Sequence, residues 1–330
     1  MLGSDSFRRR RLPLLDDLAQ KAEEFFPRWD WNLQSQPCFL GRLARTGERF
    51  RLAFVRGHSV SILAAMSGSL AGCRAKIERA KQHIHDLNTT IVAFFDTKPY
   101  VVGTKRNPDT RQLIYYVVSV PDTPPTILTI AGDVFQNLRS ALDHLAYQLV
   151  FVGTKGRGPF EHVYFPARFN SASEYESKRM GQVQGMRQEA IKAIDAIEPY
   201  QGGKGDILWR LHQLNNIDKH RLLLTVGSNF GSVNVGPLVM HLFQNAPAWA
   251  KDIPPINVSI TPANRLCPLK AGDELFIDGP DAEVNEKMKF ALHIALSEPK
   301  IAEAEPLIEL LQQMTDFIDN LISAFEPLLV

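Results

Sequence analysis

The sequence predicts a mainly α fold with a β-rich insert, an α+β chain built on a helical bundle, and three observations carry that reading. Apolar residues recur at threes and fours along three long segments, Leu70 to Asp96, Thr126 to Phe151 and Glu305 to Leu328. Short β-rich runs between Gly and Pro turns crowd residues 226–300. The 330 residues are 45% hydrophobic and 22% charged, the balance of a chain that buries a real core.

Residues 1–65 stand apart by their choice of cation, with ten Arg and one Lys against twelve Arg and fourteen Lys in the remainder. They read as an appended, loosely packed extension. The run Arg8-Arg9-Arg10-Arg11 precedes Leu-Pro-Leu-Leu, but acidic Asp16 and Asp17 follow at once where an export signal needs an apolar core. Met66-Ser67-Gly68-Ser69 then offers a helix entry.

The helical core is expected over residues 66–225. On its first helix Leu70, Cys73, Ile77, Ala80, Ile84, Leu87 and Ile91 form the buried stripe. Tyr100-Val101-Val102 and Leu113 to Val118 flank Asn107-Pro108-Asp109, the pattern of a short hairpin within that core. Pro124-Pro125 opens the long second helix. His162 to Phe165 reads as a brief extended piece, Ser171 to Met180 and Val183 to Ile197 as helices, and Asp206 as the cap of a helix reaching about Leu223.

Within 226–300, Val233 to Val235, Ile256 to Ile260, Glu274 to Ile277 and Lys289 to Ile294 read as strands of an antiparallel insert. Residues 301–330 return to helix. Leu307, Ile308, Leu311, Met314, Phe317, Ile318, Leu321 and Phe325 make a stripe wide enough to require a partner, which the earlier helices supply by closing a bundle.

Several function classes lose support. A formal charge of +1 gives no global field for nucleic acid or an anionic membrane, so any such contact rests on a local patch. Cys38, Cys73 and Cys267 are far apart and odd in number, which fits neither a disulfide framework nor a zinc site, so a cytoplasmic, reducing compartment is expected. No apolar run approaches the roughly 18 to 20 residues that span a bilayer, and no membrane partner is expected. His83-x-His85 cannot place both rings on one helical face, and Gly202-Gly203-Lys204-Gly205 lacks the Ser or Thr and preceding strand of a phosphate loop. Neither a metal nor another cofactor is expected.

Chemistry concentrates on the second helix. Ile127, Ala131, Val134, Leu138, Leu142, Leu145 and Leu149 share one line, while Arg139, Ser140, Asp143 and His144 spread across the opposite side with Asp133 and Asn137 on its edge. The Arg-to-His spacing alone says little, because Arg157 to His162 also has four intervening residues and Arg79 to His85 has five. Context distinguishes the string Asn137-Leu138-Arg139-Ser140-Ala141-Leu142-Asp143-His144. It resembles the Arg-x4-His helix of HEPN-family ribonucleases, and together with Leu211-His212-Gln213-Leu214-Asn215-Asn216-Ile217-Asp218-Lys219-His220-Arg221 it resembles a group of uncharacterised bacterial proteins. That likeness covers roughly residues 66–225.

The resemblance implies a metal-independent endoribonuclease of defence or toxin type. RNA would be the partner, a homodimer would form the composite cleft, and an antitoxin or regulatory partner would restrain it. Arg139 and His144 would be the catalytic pair, the imidazole moving a proton and the guanidinium holding the phosphoryl charge. Asn137, Ser140, Asp143, His212, Asp218, Lys219, His220 and Arg221 would support them. The other reading is a non-catalytic HEPN-like interaction or ligand-sensing module, with Arg139 and Asp143 a simple exposed i, i+4 pair worth about 0.3–0.5 kcal/mol. On the helix that Asp206 opens, Asp218 occupies the apolar stripe and so needs a partner, which Arg139, Lys219 or a backbone amine group could supply, while His212, Asn216 and Lys219 line the stripe's edge.

Overall fold

A computed structural model describes residues 69–158, 160–221, 226–236, 259–260, 266, 268–286 and 288–330. The chain divides into two units, Met1–Ile62 and Leu63–Val330, and the described residues all belong to the second. The expected extension at 1–65, the entry at Met66 to Gly68, the expected strand residues Ile256 to Val258, the helix end at Leu222-Leu223, Cys38 and Cys267 lie outside them.

Helix α1 (Ala71–Asp96) buries the predicted stripe, Cys73, Ile77, Ala80, Ile84, Leu87 and Ile91, on α2 (Pro125–Gly153). Pro125 stands in the first turn of α2, where its missing N–H has no partner to lose. Fifteen residues of α2 are buried, more than one stripe supplies, because other segments cover it on several sides. The chain continues through α3 (Ala172–Lys178), α4 (Met180–Val183), α5 (Gln188–Ile197) and α6 (Asp206–Arg221). Helix α7 (Leu307–Phe325) lays Leu307, Leu311, Met314, Ile318, Leu321 and Phe325 into the same core. Each such side chain contributes roughly 1.5–3 kcal/mol of burial, so this stripe holds α7 far more strongly than the exposed Lys81–Asp319 pair at 2.8 Å.

The strands form two antiparallel sheets. One has the order β1 (Val101–Arg106), β2 (Gln112–Ser119), β5 (Glu274–Pro280); the other has β4 (Ser259–Ile260), β3 (Val226–Asn234), β6 (Lys289–Glu298), β7 (Ala302–Pro306). The expected hairpin therefore does not stay within the helical core: β2 pairs with β5, opposing Ile114 to Ile277 and Tyr115 to Phe276. A second small core of Val117, Phe230, Val233, Val235, Leu269 and Leu275 joins the two sheets.

Several boundaries differ from expectation: the helix expected over Val183 to Ile197 begins only at Gln188, because Val183 ends α4 and the chain turns at Gly185, whose φ is +88°. Strand β7 was not foreseen, because Ala302-Glu303-Ala304-Glu305-Pro306 has little β propensity and owes its form to pairing with β6. It delays the last helix from Glu305 to Leu307. The His162 to Phe165 segment contains no strand; His162 turns at φ +58° and the chain then crosses α2.

The glycine loop before α6 is a connector. A side chain at Gly203 would strike the carbonyl of Glu198, and one at Gly205 would meet Ile197 and its carbonyl at 2.7 and 2.9 Å, so the loop lies close against the end of α5.

Candidate functional site

The site grows from one turn of α2. Arg139 and Asp143 lie four residues apart, and Arg139 Nη2 donates to Asp143 Oδ1 at 2.7 Å. The crossing segment locks both: the Phe165 amide donates to Asp143 Oδ1 at 3.0 Å, and the Phe165 carbonyl accepts from Arg139 Nη2 at 2.9 Å. Arg139 is consequently only 6% exposed. The polar face of α2 is thus not turned wholly to solvent, as the helical wheel suggested, and the pair is not an exposed one; the wheel cannot register a loop that returns across the helix.

Helix α6 supplies the facing wall. His212, Asn215, Asn216 and Lys219 are spaced at i, i+3, i+4 and i+7 and line the same pocket, with Gln182 from α4 and with Tyr164 and Arg168 on either side of Phe165. The cavity holds about 250 Å³. Tyr164 is 49% exposed, and Arg168 and Lys219 are exposed as well, so the rim is open while the floor is buried.

Asn216 Nδ2 lies 2.9 Å from His212 Nε2, and with this amide nitrogen as the donor the proton of the neutral ring is assigned to Nδ1. Burial, then the charges of Arg139, Arg168 and Lys219, push the His212 pKa down to about 4. The ring is neutral at pH 7.

Among the described residues, four buried side-chain atoms lack a hydrogen-bond partner: Arg139 Nη1, His212 Nδ1, Gln182 Oε1 and Asn215 Oδ1. All four belong to residues that line this one pocket. Each such group costs on the order of 1–3 kcal/mol when left unpaired, so these four atoms mark the least satisfied polar cluster among the described residues. Two are donors and two are acceptors. Three cations face one carboxylate, and that carboxylate already accepts from Arg139 and Phe165.

The structure brings together Arg139, Asp143, His212, Asn216 and Lys219 of the residues singled out in the sequence. It does not bring His144 into the pocket. Five residues after Arg139, that ring is exposed on the α1 side, where a side chain at Gly72 would approach its Nδ1 to 2.9 Å. Asn137 Nδ2 is spent on the Asp133 carbonyl of its own helix at 2.8 Å, and Ser140 Oγ accepts from Gln136 at 3.4 Å. His220 is exposed away from the cavity, and Arg221 reaches Glu298 at 3.5 Å.

Asp218 is half-buried against α2, with Gly132 making room for it: a methyl group there would stand 2.5 Å from Oδ1. Desolvation, then the charge of Asp133, raises its pKa, opposed by Lys219. None of the partners expected for it, Arg139 included, forms a hydrogen bond to it among the described residues.

Gln182, Asn215, Arg168 and Tyr164 were not singled out beforehand. Asn215 was within reach of the α6 periodicity, three residues after His212; Gln182 lies on a four-residue helix with no pattern to announce it. Among the described residues no three His, Cys, Asp or Glu side chains gather as a metal ion requires, and no helix is long and apolar enough to cross a membrane.

No family model, curated protein or solved structure matches the chain.

Proposed function

We propose that this protein is a ligand-binding module whose pocket at Arg139 receives an anionic group of phosphate type. The unpaired Arg139 Nη1 and His212 Nδ1 beside Arg168 and Lys219 carry the reading. A tetrahedral oxyanion accepts from both N–H groups and neutralises the excess positive charge in a partly dry site, where charge-assisted hydrogen bonds are strongest. Calorimetric titration with inorganic phosphate tests it. Binding is expected in the wild type, weakened in Arg168→Ala and Lys219→Ala, whose side chains can be removed without opening the core; no binding in the wild type sinks the reading.

A second reading, the metal-independent endoribonuclease, is favoured by one observation: the His144 ring is exposed beside α1 and free to meet another molecule. In one chain Arg139 and His144 diverge, so this chemistry needs a second copy to bring an imidazole to the phosphoryl group held at Arg139. Incubation with total RNA in EDTA decides between the two. Cleavage by a dimer, abolished in His144→Ala with phosphate binding retained, supports the nuclease. Absence of cleavage by protein that binds phosphate leaves the binding module.

A further inference from the structure

A second cavity lies in the β-rich part of the molecule and, among the described residues, shares no lining with the Arg139 pocket. It holds about 720 Å³, well inside the roughly 300–1,000 Å³ of small-molecule sites. The cavity opens at the seam between the two hydrophobic cores: Phe95 packs on the margin of the helical core, and Tyr100, Met288 and Phe290 pack on the margin of the core that joins the sheets. All four side chains are only half-buried.

Its walls are aromatic. Phe95 and Tyr100 stack with ring centres 5.8 Å apart and planes 30° from parallel, and Tyr115 and Phe290 meet at 5.6 Å with planes inclined at 47°. One ring pair comes from the end of α1 and the chain leading into β1, the other from β2 and β6. The loop after β5 also lines the cavity, and it is fastened: the Asn285 amide donates to the Tyr115 hydroxyl at 2.9 Å, Arg106 Nη2 donates to the Ala282 carbonyl, and Arg111 pairs with Asp281 at 2.6 Å. The cavity is therefore built before anything enters it. Its charged lining is one cation, Lys98, and one anion, Glu286, both exposed, so it has no net charge with which to select an ion.

We infer that this cavity binds a small, uncharged molecule with a flat aromatic ring system. Covering the half-buried rings removes apolar surface from water, which any apolar ligand would do. Flatness adds selectivity, because a planar ring meets Phe95, Tyr100 and Phe290 face to face or edge to face, an attraction that a saturated ligand of the same carbon skeleton cannot return.

The test titrates the full chain with N-phenyl-1-naphthylamine, whose fluorescence rises in apolar surroundings. Saturable binding is expected. Thr104→Trp and Val284→Trp place an indole at exposed lining positions and should each weaken it about tenfold or more, whereas Val92→Trp, at an equally exposed valine outside the lining, should leave it unchanged. Displacement then reads the ligand class: 2-naphthol should compete at a concentration at least about threefold lower than decahydro-2-naphthol, its saturated counterpart. The sulfonated probe 1-anilinonaphthalene-8-sulfonate should bind no more tightly than its uncharged parent. No saturable binding by the folded wild type, binding unaffected by both lining variants, equal or better competition by the saturated alcohol, or tighter binding of the sulfonate overturns the inference. None of these outcomes touches the anion pocket at Arg139, which the phosphate titration tests separately.

Discussion

Arg139 and Asp143 hold the same backbone residue from both of its polar groups: the guanidinium takes the Phe165 carbonyl and the carboxylate takes the Phe165 amide, while the two side chains bond to each other. This triangle fastens the segment that forms the pocket's near wall. Arg139 therefore has a structural duty that is separate from any ligand.

Arg139→Ala should accordingly cost roughly 3 kcal/mol of stability, because it strips Asp143 of its cation and leaves the Phe165 carbonyl without its donor in a buried position. Urea unfolding measures this. Loss of activity in that variant would not by itself identify a catalytic group, so Arg139→Lys, which keeps the charge and loses the fork, is the sharper probe of binding. A stability change in Arg139→Ala within a few tenths of a kcal/mol contradicts the triangle.

His212 ties stability to pH. Its folded pKa is depressed from 6.5 to about 4, so above pH 6.5 both states carry a neutral ring and the group exerts no pull. As pH falls from about 6.5 towards 4, the unfolded chain takes up a proton that the fold refuses, and stability declines through that window. His212→Gln removes the titrating ring and should flatten this part of the stability profile. Denaturant midpoints at pH 7, 6, 5 and 4 provide the comparison, and parallel profiles for wild type and variant would exclude His212 as the source.

Asp218 works in the opposite sense. Its raised pKa means that the fold disfavours the charged carboxylate, so its contribution is fully present below pH 3.8 and is lost as pH rises through the higher folded value. Asp218→Asn should melt at a higher temperature than wild type at pH 7, and the difference should vanish near pH 3. A lower melting temperature at pH 7 would show that the charge is compensated in solution.

Two glycines offer a matched pair. A methyl group at Gly153 would run into the carbonyl oxygen of Gly185, a backbone atom with nowhere to go, whereas Gly181 faces open space. Gly153→Ala is expected to destabilise by about 2 kcal/mol and Gly181→Ala to be neutral or mildly stabilising. Thermal unfolding of the two variants checks the packing of the α2 terminus; equal behaviour contradicts it.

The long elements were legible because their burial repeats with the period of the helix. The apolar stripes of α1, α2 and α7 match their buried residues closely, and Lys289 to Ile294 and Glu274 to Ile277 do lie in strands. Half of the pocket was legible too, since His212 and Lys219 share an edge of α6 and Arg139 and Asp143 an edge of α2. The rest depends on pairings between distant residues. That Phe165 crosses Arg139 while His144 stays outside follows from a turn at His162 and from the loop's return path, and neither leaves a periodic trace. Gln182 reaches the cavity from a helix of four residues, too short for any pattern to form.

The pairing of β2 with β5 sets an order of events. Gln112 meets Pro280 across the sheet, and α2 to α6 all lie between them in the chain. Contacts so distant in sequence carry a large loop-closure entropy and form late, whereas α1 meets α2 across a single hairpin. The helices consequently have time to gather before the sheet can close around its far strand, and the nascent chain passes through a stage in which β2 offers an open edge.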